Sequence, residues 1–475
     1  MDYIKIDPDL QHLLTSQQAW HYHIVPKQTG DTGIELYADR DYFRSCYKDE
    51  LEMLFNKPVI VDYRDPDVIL RTLGRYYRKT EKTNRETTTL SGIKSDDFLT
   101  TLISEAKRMH SSDIHIETYE ELCRIRLRID GRMLERYRIE REVYPALINK
   151  IKIKANIDIA EKRLPQDGRI IFKEEDSRFD IRVSVLPTLN GEKIVLRLLN
   201  KDSTSIEIHK LGFTCEQLEI FLEGIKKTHG IILISGPTGS GKTTTLYATL
   251  KILNKIETNI LTIEDPVEYT LEGINQVQLR EDIGLTFARA LRTFLRQDPD
   301  IIMLGEIRDG ETAQMAIRAA LTGHLVLSTI HTNSAWGIIS RLTDMDLPPF
   351  LLADTVNLCI AQRLIRLLCP HCKEEEVFNA GQLPKNFKAR QTPPTHKAAK
   401  GCDACYYTGY KGRKAIYEIV PIDTELAEKI KSNIYDINRL KQERNIASLA
   451  DTAYNEFILG NTTLEEIYPI LLNNV

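Results

Sequence analysis

The segment from Gly236 to Thr243 has the clearest chemical signature in the sequence. It reads G-P-T-G-S-G-K-T and follows an apolar run, which is typical of a loop that holds nucleotide phosphates between a strand and a helix. Lys242 would reach the β- and γ-phosphates, and the Thr243 hydroxyl would ligate Mg2+. A glycine turn without a ligand is the alternative. The sequence thus predicts that ATP is bound by Gly236, Pro237, Thr238, Gly239, Ser240, Gly241, Lys242, Thr243 and Thr244.

Two predicted strands end in acidic residues. Asn259 to Glu264 is followed by further acids, and Ile301 to Gly305 is followed by Glu306. Because parallel strands share a ligand-binding edge, Glu264 and Glu306 are predicted to handle Mg2+ and the attacking water. A turn or cap is the alternative for the first group. Many ATPases with this kind of phosphate-binding loop have an aspartate at the position of Gly305, where it holds Mg2+ through water. Glu306 and the earlier acids are therefore expected to take this role here.

A histidine and three arginines are further candidates. His331 follows a third strand at the same predicted edge and would sense the nucleotide or a neighbouring subunit; simple packing is the alternative. Arg289, Arg292 and Arg296 recur at spacings of three and four, which places them on adjoining parts of one helix face. A cation delivered to the developing charge would favour phosphoryl transfer. An exposed basic face without this role is the alternative.

Two C-x-x-C pairs predict a structural Zn2+ site. The ligands would be the thiolates of Cys369, Cys372, Cys402 and Cys405, which can meet around one ion in tetrahedral geometry. In a reducing compartment, paired cysteines more often bind metal than form disulfides. Surface thiols or redox chemistry are the alternatives. The segment 378–400 between the pairs is rich in Pro, Lys and Gln and is predicted to be an exposed loop.

The composition is that of a globular protein with several domains. The 475 residues exceed the usual size of one core, and the contents of 42% hydrophobic and 28% charged residues are ordinary. No apolar run approaches the roughly 18 residues of a membrane span, and the N-terminus has no signal-peptide features, so a cytoplasmic location is expected. The net charge of −4 argues against nucleic acid as a partner.

The order of predicted elements indicates an α/β protein. Strands and helices alternate in the phosphate-binding part, which predicts a parallel sheet with crossover helices. A polar stretch without hydrophobic periodicity indicates a linker near the N-terminus. The predicted parts are a small α/β domain (1–82), the linker (83–95), a second α/β domain (96–200), the phosphate-binding core (206–365), a zinc module (366–415) and a C-terminal helical region (416–475).

Together these motifs resemble those of the secretion and pilus assembly ATPases of type II secretion and type IV pilus systems. The resemblance covers about residues 96 to 475 and includes the phosphate loop and the four cysteines. Several further motifs occur in the family's order. They are Ser112 to Glu117, Arg128 to Gly131, Arg163 to Arg169, Arg182 to Ser184, Ile263 to Glu268, Leu295 to Asp300, Gly305 to Asp309 and Leu321 to Asn333.

The resemblance implies a RecA-like core, a PAS-like second N-terminal domain and a homo-hexamer in which that domain packs on the neighbour's core. Arg128, Arg169 and Arg182 are then candidates for contacts to the nucleotide or the adjacent subunit. Arg292 and Arg296 match basic positions that line the family's site. The tetracysteine insert is similar to that of the secretion and pilus-extension branch, which favours assembly over disassembly.

Residues 1–82 resemble a short form of the family's first N-terminal domain, which docks on an inner-membrane platform protein. The arginine- and leucine-rich paired motif of cyclic-di-GMP-binding members is not found. The implied function is a cytoplasmic hexameric ATPase, peripheral on the inner membrane through its partners. It would power the assembly of pilin-like subunits for a type II secretion pseudopilus or a type IV pilus. A nucleic-acid translocase and a non-hydrolysing assembly scaffold are the alternatives.

Overall fold

The computed structural model contains two compact units. One comprises Met1–Leu90 and Phe378–Pro394, and the other comprises Ser91–Val377 and Thr395–Val475. The residues that the structure describes are 3–6, 8–11, 13–30, 33–55, 57–77, 88–90, 95–174, 177–199, 207–432, 440, 443–444 and 446–472.

The first unit contains a three-stranded sheet packed with helices. Its middle strand, β2, is antiparallel to β1 and parallel to β3. Apolar residues such as Ile24, Leu36 and Ile69 are fully buried in its core. The elements are α1 (Pro8–Gln11), α2 (Ser16–Tyr22), β1 (Ile24–Gly30), β2 (Gly33–Asp39), α3 (Ser45–Phe55), β3 (Val59–Arg64) and α4 (Pro66–Tyr76).

The predicted linker, 83–95, is only partly described. Three of its residues form the short strand β4 (Thr88–Leu90), and α5 (Ser95–Arg108) begins at its last residue. Residues 83–87 and 91–94 lie outside the described residues. Residues 201–205, between the predicted second α/β domain and the predicted phosphate-binding core, also lie outside them.

Residues 95–199 build an antiparallel sheet with two helices, in the strand order β7-β6-β5-β10-β9-β8. In β6, Ile125 and Leu127 are buried while Arg124 and Arg126 are partly exposed, as the alternation of apolar and basic residues predicts. The elements after α5 are β5 (Ser111–Thr118), β6 (Cys123–Ile129), β7 (Arg132–Ile139), α6 (Tyr144–Lys154), β8 (Gln166–Glu174), β9 (Ser177–Thr188) and β10 (Gly191–Leu199).

The phosphate-loop core is a seven-stranded sheet in the order β13-β12-β14-β15-β11-β16-β19, parallel except for the β16–β19 pair. Its elements are α7 (Cys215–Ile225), β11 (Gly230–Ser235), α8 (Lys242–Leu253), β12 (Ile260–Glu264), β13 (Asn275–Gln278), α9 (Phe287–Phe294), β14 (Ile301–Leu304), α10 (Gly310–Leu321), β15 (Leu325–Ile330), α11 (Gly337–Asp344), α12 (Pro349–Thr355), β16 (Val356–Leu368), β19 (Tyr410–Pro421) and α13 (Thr424–Lys431).

Parallel pairing brings the ends of four strands to one edge of this sheet. The glycine-rich loop follows β11, Glu264 ends β12, Glu306 follows β14 and His331 follows β15. The fold therefore gathers the predicted phosphate, acid and histidine positions along the same edge.

The segment between the two cysteine pairs differs from the exposed loop that the sequence predicts. Strands β17 (Lys373–Val377) and β18 (Thr395–Ala399) form an antiparallel hairpin, and Phe378 and Phe387 are buried. Because most residues of the segment are polar, its composition did not indicate that these two phenylalanines would be buried. Two helices, Leu449–Ile458 and Leu464–Leu472, follow towards the C-terminus. Among the described residues, no helix combines the length and apolar character that crossing a membrane requires.

Gly224 permits the close packing of α7 on β16. A Cβ atom at this position would lie 2.1 Å from Leu358 Cδ1. We expect Gly224→Ala to lower the free energy of unfolding of the second unit by about 1–2 kcal/mol, because overpacking outweighs the gain in helix propensity. Urea unfolding followed by Trp336 fluorescence in a Trp20→Phe background measures this change. The neighbouring exposed control, Glu223→Ala, should stay within about 0.5 kcal/mol of the parent; equal effects of both substitutions would contradict the packing argument.

Candidate nucleotide and metal sites

The phosphate loop has a backbone that depends on glycine. Gly236, Gly239 and Gly241 have φ values of 153°, 81° and 87°. A Cβ atom on Gly236 would lie 2.5 Å from the carbonyl oxygen of Gln362. The loop can therefore lie against β16 only without a side chain at this position. Pro237, Thr238, Gly239 and Thr243 are exposed, and Thr244 is half-buried.

Gln362 of β16 holds the loop from behind. Its Nε2 donates to the Ser240 carbonyl at 2.8 Å, and its Oε1 accepts from the Thr245 hydroxyl at 2.9 Å. The Ser240 hydroxyl is buried and, within the described part of the chain, has no hydrogen-bond partner. A buried hydroxyl without a partner is unfavourable, so this loop retains unused capacity to bind a polar ligand.

Two half-buried cations lie at the loop. Lys242 Nζ donates to the carbonyls of Gly236 and Pro237 at 2.7 and 3.1 Å, and Arg363 donates to the Asn333 carbonyl at 2.9 Å. Burial lowers the pKa of Lys242; Glu306 opposes this shift and Arg363 adds to it. Burial also lowers the pKa of Arg363. Both charged forms are thus poorly solvated, and a phosphate group would supply the counter-charge.

Glu306 lies in a cluster of charges at the sheet edge. Its side chain is 18% exposed, Arg308 Nε donates to its Oε1 at 2.6 Å, and His331 Nε2 lies 3.3 Å from its Oε2. Arg308 also contacts Asp265 at 3.2 Å. The ion pair with Glu306 raises the pKa of Arg308. The ends of β12, β14 and β15 are therefore linked by one chain of polar side-chain contacts.

Glu264 has a different environment from Glu306. It is buried, and its carboxylate accepts hydrogen bonds from Tyr247, from Thr262 at 2.6 Å and from Gln276 at 3.1 Å. Burial, with a contribution from Glu264, raises the pKa of Tyr269 to about 12. Glu264 thus anchors a polar network below the edge, whereas Glu306 is partly accessible there. The role of Glu264 with metal or water stays a prediction.

The unusual Gly305 has a steric explanation. A Cβ atom on this residue would lie 3.3 Å from Glu264 Cα and 3.3 Å from the Ile263 carbonyl oxygen. Its N–H donates to that carbonyl at 2.8 Å, and its own carbonyl accepts from the Thr329 hydroxyl at 2.8 Å. An aspartate at this position would press on the backbone of β12.

The candidate arginines separate into two groups. Arg182 donates to the Val267 carbonyl at 2.6 Å and lies 3.5 Å from Glu268, so it reaches the acidic segment after β12 of the same chain. The structure does not bring the other five arginines to the phosphate loop through any hydrogen bond or ion pair among described residues. Their partners lie elsewhere: Gly131 and Asp113 for Arg128, Asp180 for Arg169, the Gly284 carbonyl for Arg289, Glu311 for Arg292 and the Arg292 carbonyl for Arg296.

Three residues at the site were missed by the sequence analysis: Gln362, Arg363 and Arg308. Gln362 and Arg363 interrupt the apolar strand β16, and an interrupted buried strand is a signal that could have identified them. Arg308 belongs to a motif that was noted, but its contact with both Glu306 and Asp265 could be found only from the structure.

The four paired cysteines form a compact cluster. Their Sγ atoms all lie within 4.8 Å of one another, with contacts of 3.7 to 3.9 Å, close to the roughly 3.8 Å expected for thiolates on a tetrahedral Zn2+. Backbone N–H groups of Gly401, Cys402 and Gly409 donate to sulfur at 3.2 to 3.3 Å. Burial raises the pKa of Cys372 to about 12, so its thiolate would need the charge of a metal ion. The donor set fits zinc.

Comparison with known proteins places the whole arrangement in a family. Residues 92–469 match the family described as "Type II/IV secretion system protein". The chain belongs to this family. It is 46% identical over 374 residues to the type II secretion system protein E of Pseudomonas aeruginosa, covering 78% of this chain and 74% of that protein. It is 41% identical over 496 residues to the type IV pilus assembly ATPase PilB of Myxococcus xanthus, covering 97% and 86%.

Solved structures show the same family fold. The pilus retraction motor PilT with bound ADP is 27% identical, with a TM-score of 0.53, and the match covers 78% of this chain and 95% of that chain. The Legionella pneumophila ATPase DotB is 22% identical, with a TM-score of 0.62, and the match covers 82% and 99%. The predicted family and the predicted α/β, RecA-like fold class are confirmed.

The cysteine cluster gives a direct prediction about metal content. We expect Cys402→Ser to reduce bound zinc from about one ion per chain to nearly none, because a structural site needs all four ligands. Elemental analysis of the purified full chain measures this. Cys46→Ser, which alters an exposed cysteine in the first unit, should keep the parent's zinc content. Undiminished zinc in Cys402→Ser would rule out the assigned ligand set.

Proposed function

We propose that this chain is a Mg2+-dependent ATPase that works as a homo-hexamer and powers the assembly of pilin-like subunits in a type II secretion or type IV pilus system. The two desolvated cations beside the phosphate loop, Lys242 and Arg363, are the observation that carries the proposal. A triphosphate bound at this loop would neutralise both charges. The curated relatives named for type II secretion and pilus assembly support the cellular role.

In the proposed reaction the chain positions a triphosphate for attack by water. Lys242 and the loop N–H groups bind the β- and γ-phosphates, and Thr243 offers its exposed hydroxyl to Mg2+. Bound Mg2+ would neutralise charge on the phosphate oxygens. Glu306 orients the water and takes up its proton. His331 and Arg308 hold the Glu306 carboxylate before the nucleotide arrives.

The counter-charge from arginines is proposed to depend on neighbouring subunits. Arg182 already contacts the acidic segment of its own chain, whereas Arg292 and Arg296 bond to groups outside the phosphate loop. Closure between subunits would complete each site, so hydrolysis by the separated chain should be slow. We further propose that residues 1–82, the predicted first N-terminal domain, dock on an inner-membrane platform protein. This contact would hold the ATPase at the cytoplasmic face of the membrane.

Glu306→Gln tests hydrolysis separately from binding. The amide cannot accept the proton from water, so we expect phosphate release to fall by at least about a hundredfold while ATP binding persists. A phosphate-release assay and a nucleotide titration measure the two properties on the same preparation. Glu272→Gln, at an exposed position, should match the parent. If Glu306→Gln and the parent were equally inactive, a scaffold that only binds ATP would replace the proposed motor.

The lowered pKa of Lys242 predicts that nucleotide binding depends on pH. Burial lowers this pKa in the empty site, and a bound phosphate would raise it again. Between these two pKa values, binding takes up a proton, so affinity for ADP should fall with rising pH, with a limiting slope of about tenfold per pH unit. Calorimetric titrations between about pH 7 and pH 10 would measure this slope. The Lys242→Arg variant stays positively charged over this pH range, so its affinity for ADP should change little with pH. A parent whose affinity did not change with pH would contradict the assignment of Lys242 to phosphate binding.

A further inference from the structure

A short segment links β15 to α11 and runs beside the nucleotide site. This connecting segment, residues 331–336, begins with His331, whose Nε2 lies 3.3 Å from Glu306 Oε2. Further along, Arg363 Nη2 donates to the Asn333 carbonyl at 2.9 Å. Glu306 and Arg363 belong to the candidate nucleotide site, so the position of the connecting segment depends on the charges there.

A buried carboxylate holds the far end of the connecting segment. Glu418 on β19 is only 2% exposed, and its Oε1 accepts from the Ala335 N–H at 3.0 Å. Its Oε2 accepts from the Leu449 N–H at 3.3 Å. Leu449 is the first residue of the helix Leu449–Ile458, near the C-terminus. This carboxylate bridge therefore joins the connecting segment to a C-terminal helix.

Both N–H groups of the carboxylate bridge lie at the start of a helix. Ala335 directly precedes Trp336, the N-cap residue of α11, and Leu449 begins its own helix. The N-terminus of a helix carries a partial positive charge, so both helices stabilise the buried carboxylate of Glu418. Because a buried charge must keep its hydrogen bonds, movement of the connecting segment is passed to the C-terminal helix.

The same carboxylate interacts electrostatically with Arg363. Burial lowers the pKa of Arg363, and the charge of Glu418 opposes this shift. The two residues lie on neighbouring antiparallel strands, where Glu418 is opposite Ala361. A phosphate group at the loop would be a charged acceptor and would bind the guanidinium more strongly than the Asn333 carbonyl does. Nucleotide binding would therefore alter how Arg363 holds the connecting segment.

We propose that Glu418 is a positioning residue that couples the helix Leu449–Ile458 to the nucleotide site. A bound phosphate shifts the connecting segment through Arg363, and the carboxylate bridge passes this shift to the helix. In the opposite direction, the helix holds the connecting segment, with His331, in the position that hydrolysis needs. The inference rests on the proposed ATPase function and names a residue that controls it from outside the phosphate loop.

Hydrogen exchange of the full chain tests the coupling without hydrolysis. Binding of Mg2+-ADP to the parent should change amide exchange both at the phosphate loop and, by at least about twofold, in residues 449–458. In Glu418→Gln the amide has one acceptor oxygen for two N–H groups, so one half of the bridge is lost. The phosphate loop should still respond, whereas residues 449–458 should not. Glu428→Gln, at an exposed position, should respond like the parent.

Leu449→Pro removes the other half of the bridge. Proline is tolerated at the first residue of a helix, and Ser448 before it already has the extended backbone, with ψ 167°, that proline requires. We expect Leu449→Pro and Glu418→Gln each to lower kcat per ADP-binding site by at least about tenfold, with ADP affinity within about threefold of the parent. Leu449→Ala keeps the N–H and should stay within about threefold of the parent's kcat.

The double variant and the parent separate this inference from the proposed function. Because Glu418→Gln and Leu449→Pro remove the same contact, the double variant should be no slower than the slower single variant. Additive losses, or equal losses in Leu449→Ala and Leu449→Pro, would overturn the coupling. Hydrolysis by the parent without an exchange response in residues 449–458 would also overturn it. Absence of hydrolysis in the parent, with the exchange response intact, would instead reject the ATPase and leave the coupling standing.

Discussion

The close approach of the phosphate loop to β16 is the constraint on which the rest of the site depends. Only a glycine at position 236 permits it, since a Cβ atom would lie 2.5 Å from the Gln362 carbonyl oxygen. This approach allows Gln362 to bond the loop and brings Arg363 close to Lys242. Both cations are half-buried, and neither has an ion-pair partner within 4 Å among the described residues. In the proposed function, a bound phosphate would supply the missing counter-charge.

Strand β16 also connects the nucleotide site to the metal cluster. Gln362 lies in its middle, and Cys369 follows its last residue directly. Near that end, Arg366 is held by Glu466 of the C-terminal helix and stacks on Tyr410 at 3.7 Å. Zinc at the cysteine cluster would thus fix the end of the strand that supports the phosphate loop. A structural metal ion at this position would therefore give mechanical support to the core.

Local sequence patterns predicted those features of the fold and the site that depend on residues close together in the sequence. The glycine spacing predicted a phosphate loop, and acids after apolar strands predicted a shared edge for Glu264 and Glu306. The structure places these positions along one sheet edge, and their roles stay predictions. Long-range contacts could not be read in this way. Gln362 donates a hydrogen bond to Ser240, which is 122 residues away in the sequence. The hydrogen-bond partners of the Glu264 carboxylate come from three elements, α8, β12 and β13. The packing of Phe378 and Phe387 was likewise concealed by their polar surroundings.

Calorimetric titration of Mg2+-ADP into the parent and into Gly236→Ala tests the central constraint most directly. The account predicts binding by the parent and a loss of at least tenfold in affinity, about 1.4 kcal/mol, in the folded variant, because the added methyl group displaces the loop from Gln362. Circular dichroism confirms that the variant is folded. Equal affinity of the two proteins would show that the approach of the loop to β16 does not shape the nucleotide site.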